Sequence, residues 1–325
     1  MKRKEYAVIS VMIGILLFPA LSGAVPAGVT EQSDLTTLST ALIEETGVLL
    51  VDFVDDASPE TIAAVAREYG LVLRPNSIFS GAEKLMRAEV ARSRLPGLVE
   101  RLSHDPRVEI AEPEMIYAIP RGAKIPSNEG GEEPEGFPND PLFKYQWHMT
   151  QIKVQEAWKR SKGEDVVVAV IDTGVAYENR ENFHRVEDLE KTAFVPGYDF
   201  IHDTEHANDD NCHGTHVAGT IAQSTHNGKG VAGVAFKAKI MPIKVLTAQG
   251  FGTTADIAEG IRYAADHGAK VINMSLGGPY PSKIMADACK YAHQKGVTIV
   301  CAAGNSGSRK VGYPAAYPEC IAVSA

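Results

Sequence analysis

The sequence has 325 residues, a length typical of about two domains. Of these residues 44% are hydrophobic and 22% are charged, a composition that is typical of a folded protein and excludes extensive disorder. Acidic residues outnumber basic ones by 41 to 32; without residues 1–24 the counts are 40 and 29, a formal charge of −11. The negative net charge excludes a general nucleic-acid-binding protein, which would need a positive one.

The first 24 residues have the layout of a secretory signal peptide. Basic residues at 2–4 precede an apolar run from Ala7 to Pro19, and small residues follow at 22–24. The run is shorter than the ~20 residues of a membrane span, and no later segment is long and apolar enough for one. We therefore expect a cleaved signal at 1–24 rather than a retained anchor, a secreted or extracytoplasmic protein, and no other membrane contact.

Residues 47–119 show strand and helix patterns in the order βαββαβ. Strands are predicted at Val48–Val54, Leu71–Ile78, Glu83–Val90 and Val108–Ile119. One helix begins at the capping residue Ser58 and ends near Gly70, and a second is marked by apolar residues at helical spacing from Leu95 to Leu102. This order is typical of a small α+β, ferredoxin-like domain.

Residues 120–138 are predicted to form a linker. They contain Gly, Pro and an acidic run from Glu129 to Glu135, with no apolar periodicity. We expect an exposed, flexible segment that proteases can reach.

From residue 139 onward, short apolar strands alternate with helices. The strands are predicted at Asp165–Ile171, Ile240–Val245, Lys270–Met274, Val297–Ala302 and Ile321–Val323. The helices are predicted at His213–Gln223, Thr254–Asp266 and Ser282–Gln294. Repeated βα units with fully apolar strands indicate an α/β domain with a mostly parallel sheet flanked by helices.

Polar residues follow three of these strands and a histidine motif opens one helix. Ligands bind beyond the carboxyl ends of parallel strands, so Asp172, Ser275 and Asn305 should meet at one rim. His213 and His216 lie three residues apart on the helix. Two chemistries explain them: zinc binding, or acid–base catalysis in which Asp172 orients His213 as in a catalytic triad.

Four ordered blocks closely resemble those of the subtilisin-like serine proteases. They are Val168-Ala-Val-Ile-Asp-Thr-Gly174, His213-Gly-Thr-His-Val-Ala-Gly-Thr220, Val271-Ile-Asn-Met-Ser-Leu-Gly-Gly278 and Ala302-Ala-Gly-Asn305. The resemblance covers residues 139–325, and the βαββαβ unit at 47–119 resembles the inhibitory, chaperoning prosegment of that family. It implies a secreted endopeptidase made as a zymogen, monomeric, acting on polypeptides and inhibited by its own prosegment.

The resemblance also implies roles for individual residues. Asp172 becomes the triad acid, His213 the general base and Asn305 the side-chain oxyanion donor, while His216 becomes a helix-packing residue. The two backbone edges that hold an extended substrate correspond to Gly250, Phe251 and Gly252, and to Ser275, Leu276 and Gly277. Tyr313-Pro314 matches a position at which the family carries a cis proline. Recognition of this kind relies on main-chain hydrogen bonds and gives broad side-chain selectivity.

A structural calcium site is implied as well. Asp140, Asp188 and Asn227 match oxygen-ligand positions of the family, and carboxylate and amide oxygens suit Ca²⁺. Asp199 matches a second site, but His202 and Thr204 replace its expected acids. We therefore predict only the first site.

The nucleophile of the family lies in a Gly-Thr-Ser-x-Ala block, which does not occur in these 325 residues. We therefore interpret residues 139–325 as a peptidase domain truncated before its serine, and expect the chain alone to be nearly inactive. Two other functions stay open: a non-catalytic protein that binds proteases or peptides, and a zinc-dependent hydrolase that uses His213 and His216. The processing bond, somewhere between Ile119 and Asn139, is not determined by the sequence.

Four cysteines in an exported chain permit three sets of disulfide pairs. The sequence does not choose among them. Cys301 and Cys320 lie in apolar runs, which predicts buried thiols.

Overall fold

The structure is a computed structural model that describes residues 47–120, 136–307 and 309–324, all within one compact unit. The strands are β1 (Val48–Phe53), β2 (Arg74–Pro75), β3 (Leu85–Glu89), β4 (Val108–Pro113), β5 (Ile116–Ala118), β6 (Val167–Asp172), β7 (Ala193–Phe194), β8 (Tyr198–Asp199), β9 (Lys239–Lys244), β10 (Phe251–Thr253), β11 (Val271–Met274), β12 (Thr298–Ala302) and β13 (Cys320–Val323). The α-helices are α1 (Pro59–Tyr69), α2 (Ser80–Glu83), α3 (Leu95–Leu102), α4 (Trp147–Gln151), α5 (Val154–Trp158), α6 (His213–Ala222), α7 (Thr254–Asp266) and α8 (Lys283–Gln294). The predicted signal at 1–24 and residues 121–135 of the predicted linker lie outside the described residues. Within the described ranges, every helix is too short or too polar to cross a membrane.

Residues 47–120, here called the N-terminal domain, contain a four-stranded antiparallel sheet in the order β2-β3-β1-β4. Every residue of β1 is buried. Helix α1 begins at Ser58, whose Oγ accepts a hydrogen bond from Thr61 N at 3.2 Å, and ends at Gly70 in the left-handed conformation. The apolar faces of α1 and α3 join one side of the sheet in a small core.

Two strands of the N-terminal domain differ from the prediction. Pairing at Leu71–Ile78 is limited to the two residues of β2, because Pro75 at this sheet edge has no N–H to extend the ladder. The predicted strand Val108–Ile119 divides after Pro113. Its second part, β5, leaves the domain's sheet and pairs with β10 of the rest of the chain.

Residues 136–324, here called the C-terminal domain, are built on a seven-stranded sheet. Its order is β13-β12-β11-β6-β9-β7, with β8 also on β9, and all of these pairings are parallel. Along β6, Val168 and Val170 face α6, whereas Ala169 and Ile171 face α7 and α8. Burial on both faces explains why this strand is apolar throughout. The predicted α/β architecture is confirmed.

Local turns explain most of the small differences in the C-terminal domain. Asp165 adopts a left-handed backbone conformation, so β6 begins at Val167 instead of Asp165. The short elements β7, β8, β10, α4 and α5 carry no periodicity of their own. All four cysteines are free; Cys289 and Cys301 are buried, but Cys320 on β13 is only half-buried and Cys212 is exposed.

Candidate active site

Asp172 and His213 form a hydrogen-bonded pair at the carboxyl end of the sheet. Asp172 ends β6 with no exposed surface, and His213 begins α6. His213 Nδ1 lies 2.8 Å from Asp172 Oδ1, which also accepts the backbone N–H of Thr173 at 2.7 Å. The other oxygen, Oδ2, is buried and has no hydrogen-bond partner within the described residues. The contact at Nδ1 leaves Nε2 of His213 for a reacting group.

The close approach of α6 to β6 requires a glycine. A Cβ on Gly214 would lie 2.2 Å from Gly174 O and 3.1 Å from Asp172 Cβ. The loop before the helix is fixed by Asp209, which accepts hydrogen bonds from Thr173 Oγ1 at 2.9 Å and from Thr215 N at 2.9 Å. These contacts set the distance between the strand and the histidine.

The environment of His213 favours its charged form. Burial by itself would lower the pKa of His213, but the hydrogen bond and negative charge of Asp172, together with the charge of Asp209, raise it above its ordinary value. A histidine oriented by a buried carboxylate can take a proton at Nε2 and hold the resulting charge.

Asn305 and Ser275 follow β12 and β11, which are neighbours of β6 in the sheet. Asn305 is exposed, and its Nδ2 donates to Pro120 O at 3.4 Å. Ser275 accepts a hydrogen bond from Asn273 Nδ2 at 3.0 Å. The three residues predicted to share one rim therefore lie at the ends of three adjacent strands.

The end of the N-terminal domain occupies a cleft between the two predicted backbone edges. On one side β5 pairs antiparallel with β10, matching Tyr117 to Gly252, and Ile119 N donates to Gly250 O at 3.1 Å. On the other side Ala118 and Gly277 exchange two hydrogen bonds of 3.0 and 2.9 Å. Leu276, which lies between Ser275 and Gly277 in this second edge, is fully buried. Residues 116–119 thus form the middle strand of a three-stranded arrangement.

Tyr117 fills an enclosed pocket beside this strand. Its side chain is 1% exposed, and its hydroxyl donates to Tyr280 O at 3.2 Å. Gly278 forms one wall, and the adjoining Tyr313–Pro314 bond is cis, as the family resemblance predicts.

A second contact between the domains is aromatic. Phe79 lies among Tyr198, Phe200 and Tyr263, with ring centroids 4.8, 5.8 and 5.2 Å away. Glu112 adds a polar contact, because its carboxylate accepts the backbone N–H of Lys283 at 2.9 Å in the first turn of α8. Phe79 and Glu112 belong to the N-terminal domain and contact the C-terminal domain. Sequence patterns within one domain do not reveal such contacts.

Carboxyl groups are concentrated at the same interface. Asn76 Nδ2 donates to Asp256 at 3.0 Å and to Glu259 at 2.9 Å, and Arg87 lies 3.2 Å from Glu114. Burial raises the pKa of Glu114 to about 7, and raises the pKa of both Asp256 and Glu259. Asp52 lies in the same interface, near Arg262, and burial raises its pKa to about 7.

The three residues predicted to bind calcium lie together. Asp188 accepts hydrogen bonds from Asn227 Nδ2 at 2.7 Å and from Val231 N at 3.1 Å, and Asp140 accepts the backbone N–H of Asn227 at 3.1 Å. Gly230 keeps space open, since a Cβ there would lie 2.0 Å from Asp188 Oδ2. Burial and the charge of Asp140 raise the pKa of Asp188, although its hydrogen bonds oppose this. Asp140 and Asp188 are both buried, and their carboxylate oxygens are the kind of ligand that suits a hard cation.

His216 does not share the site of His213. It is exposed, so the prediction that it packs within the helix interface is wrong. The described residues contain no group of three or more His, Cys, Asp or Glu side chains placed to hold a metal ion. The geometry gives no support to a zinc site.

Comparison with known proteins identifies the family. A sequence profile of the subtilase family, peptidase S8, matches residues 163–325. The chain belongs to the subtilase family.

Individual subtilases show how far the similarity extends. A thermophilic serine proteinase of Bacillus sp. strain AK1 is 32% identical over all of this chain and 76% of its own length. Thermitase of Thermoactinomyces vulgaris is 40% identical over 58% of this chain and 64% of its own length. The crystal structure of fervidolysin from Fervidobacterium pennivorans, a keratinolytic enzyme related to subtilisin, matches with a TM-score of 0.66 at 28% identity, over 86% of this chain and 43% of that one. Subtilases are serine-type peptidases that act on polypeptides, and this chain spans under half of fervidolysin.

Proposed function

We propose that this chain is the N-terminal part of a secreted subtilisin-like serine endopeptidase zymogen. Asp172 orients His213, which acts as general base toward a serine supplied by the protein beyond these 325 residues. Asn305 donates to the oxyanion that forms at the scissile carbonyl. The observation that carries this proposal is the strand at 116–119, which lies in the cleft with the next carbonyl, that of Pro120, against the Asn305 amide.

The acid–base step follows from the geometry of the pair. His213 Nε2 accepts the serine proton as the hydroxyl oxygen attacks the carbonyl, and later returns it to the leaving amine. Asp172 holds the imidazole by the 2.8 Å contact at Nδ1 and stabilises its positive charge. The side-chain amide of Asn305 is suited to the negative oxygen of the tetrahedral intermediate.

The N-terminal domain is proposed to be an inhibitory prosegment. The matched lengths support this, because the similarity to the AK1 proteinase covers the whole chain and that to fervidolysin 86% of it. The register points to Pro120–Arg121 as the processing bond, since Ala118 pairs with Gly277, Ile119 with Gly250, and Pro120 O with Asn305. After cleavage this tail would stay in the cleft as a bound product.

The substrates are proposed to be extended polypeptides. Main-chain pairing with β10 and Gly277 selects an unfolded segment and places little demand on its side chains. The Tyr117 pocket is the exception, because it is enclosed and closed at its end by the Tyr280 carbonyl. A tyrosine or another aromatic residue three positions before the residue cleaved at its carbonyl should therefore be preferred.

Export and calcium binding complete the proposal. The signal-like residues 1–24 support export, and one relative, from Bacillus subtilis, is named a minor extracellular protease. Asp140, Asp188 and Asn227 would hold Ca²⁺, with the Asn227 amide turned to present its oxygen. The ion would tie residue 140 to the loop at 227, which stabilises the fold and takes no part in the reaction.

Expression of the complete gene tests the catalytic assignment. Mass spectrometry of the purified product should find a chain that begins at Arg121, and His213→Ala should leave the protein uncut. His216→Ala is the matched control, since this histidine is exposed on the same helix. Normal processing of His213→Ala would overturn self-cleavage, and a chain that begins elsewhere would overturn the assigned bond.

The same experiment decides between catalysis and the non-catalytic alternative. A complete gene without a Gly-Thr-Ser block, whose product stays uncut and still binds peptides, would establish a binding protein instead. The purified product would then inhibit a related protease without being processed itself.

A further inference from the structure

Lys244 is the last residue of β9, and its charged side chain is almost completely buried. The residue is 1% exposed. Its Nζ lies 2.8 Å from Thr173 O, 2.8 Å from Leu246 O and 2.6 Å from Asp210 Oδ1. An ammonium group has three N–H donors, and all three are used here. Burial of a charge is costly unless it is paired and hydrogen-bonded, and here all of the hydrogen bonds are made to three separate segments of the chain. The ammonium group therefore holds these segments together.

The three partners of Lys244 surround the Asp172–His213 pair. Thr173 follows Asp172 directly, and Asp210 lies three residues before His213. Lys244 is itself the ladder partner of Asp172, and the next two residues, Val245 and Leu246, donate their N–H groups to Asp172 O at 2.9 and 3.1 Å. The ammonium therefore joins the end of β6, the turn after β9 and the loop that leads into α6.

The Asp172 carboxylate depends on this backbone for its orientation. Its Oδ2 has no hydrogen-bond partner in the described part of the chain, and its Oδ1 is held only by Thr173 N and His213. Thr173 is in turn restrained at its carbonyl by Lys244. A small rotation of this residue would move the N–H that fixes the carboxylate.

We propose that Lys244 is a positioning residue for the Asp172–His213 pair, acting by fixing the strand end that carries the acid against the loop that carries the base. This role rests on the proposed function, which gives the pair its purpose. Lys244 does not contact a substrate. Its effect is to keep the Oδ1–Nδ1 contact short and protected from water.

Proton NMR of the purified, histidine-¹⁵N-labelled protein tests this role directly. A histidine Nδ1 proton bonded to a buried carboxylate resonates at low field, apart from amide protons, and its exchange with water reports how well the contact is held. Lys244→Met preserves the length and apolar stem of the side chain but removes the charge and donors. We expect the resonance to broaden or disappear, with exchange at least tenfold faster.

Lys239→Met is the matched control. It removes a lysine from the same strand, about 17 Å away, whose ammonium pairs with Asp165 at 3.0 Å. The low-field resonance should keep its position and exchange rate in this variant.

Asp210→Asn covers the case in which Lys244→Met does not fold, as judged by far-UV circular dichroism. Its side chain is 30% exposed, so the substitution is mild, yet it removes the charged partner of the ammonium. We expect faster exchange than in the wild-type protein. An unchanged resonance in Asp210→Asn and in folded Lys244→Met would overturn the role of Lys244 alone. Absence of the resonance from the wild-type protein would overturn the Asp172–His213 contact and, with it, the proposed acid–base assignment.

Discussion

The ring of Tyr117 lies directly against Gly278. A Cβ placed on this glycine would be 2.9 Å from Cδ1 and 3.1 Å from Cε1 of the tyrosine, inside normal contact distance. The backbone of Gly278 does not have a positive φ, so an alanine there would be disfavoured by its contact with the ring and not by backbone strain. The pocket and its occupant are therefore matched in shape.

Gly278→Ala should weaken the seating of the N-terminal domain by displacing Tyr117. Overpacking of this kind costs about 1–3 kcal/mol, which is about 5- to 150-fold in a dissociation constant. The measurement uses a protein with a site for a sequence-specific protease inserted within residues 121–135. After cutting, the dissociation rate of the two domains is followed by size-exclusion chromatography.

A double substitution distinguishes the ring contact from general damage. Tyr117→Ala also speeds dissociation, because a large buried ring is lost. If the two residues act through their contact, adding Gly278→Ala to Tyr117→Ala should change the rate little. Fully additive effects would contradict the proposed contact.

Phe79 should contribute strongly to domain association. Phe79→Ala removes a ring from the aromatic cluster with Tyr198, Phe200 and Tyr263. Phe79 is only half-buried, so the loss should cost less than the about 3–5 kcal/mol of a fully buried ring. The neighbouring residue gives a matched control: Ile78 is 67% exposed, so Ile78→Ala should leave the dissociation rate of the cut complex unchanged. Equal effects of both substitutions would show that the cluster does not hold the domains together.

Domain association should weaken as the pH rises. Burial raises the pKa of Asp52 and of Glu114 to about 7, against the attraction of Arg262 and Arg87 respectively, whereas separated domains would return these groups to about 4. The associated state therefore binds more protons, and its advantage is complete below pH 4 and lost as the pH passes 7. Each group contributes at most about 1.4 kcal/mol per pH unit within this window.

The cut complex checks this dependence. Its dissociation rate should increase at least tenfold between pH 5 and pH 8. The increase should be smaller in Asp52→Asn and Glu114→Gln, which remove the titrating groups. Glu100→Gln, at an exposed position on α3, should retain the full dependence. A rate that falls with rising pH would contradict the role assigned to these carboxyl groups.

Asp172→Asn should lower the pKa of His213. The hydrogen bond and charge of Asp172 are what raise this pKa against the effect of burial, so burial will dominate once the charge is removed. Titration of the His213 ring protons by NMR measures the change. Asp209→Asn, which removes a weaker charge contribution, should lower the pKa by a smaller amount. A pKa that rises in Asp172→Asn would show that the carboxylate does not govern the histidine.

Calcium should stabilise the protein through Asp140 and Asp188. At a calcium concentration 100 times the dissociation constant, the free energy of unfolding should increase by about 2.7 kcal/mol, seen as a higher Tm by calorimetry. Asp188→Asn should abolish this increase. Glu187→Gln alters the adjacent, exposed acid and should retain it. A Tm that does not respond to calcium in the wild-type protein would exclude the site.

Features with a local signal could be predicted from the sequence. The apolar run that forms β6 and the capping residue Ser58 specify their elements within a few neighbouring residues, and both occur close to the predicted positions. The path of β5 could not be predicted, because its partners at 251–253 are more than 130 residues away and compete with the local continuation of β4. The role of Lys244 did have a signal in the sequence, because it is a single charged residue within the apolar run Ile240–Val245. A lysine buried in such a strand needs hydrogen-bond acceptors or an acidic partner.

The connection between β4 and β5 consists of only Glu114 and Met115. This connection fixes β5 to the N-terminal domain, and residues 121–135 join that domain covalently to the rest of the chain. Occupation of the cleft is therefore an intramolecular event, independent of how much protein is present. Dilution cannot empty the cleft, and a second molecule cannot compete on equal terms for it. After a cut behind residue 120, the N-terminal domain would occupy the cleft through an ordinary binding equilibrium between two separate chains. Changes of pH and dilution can shift that equilibrium.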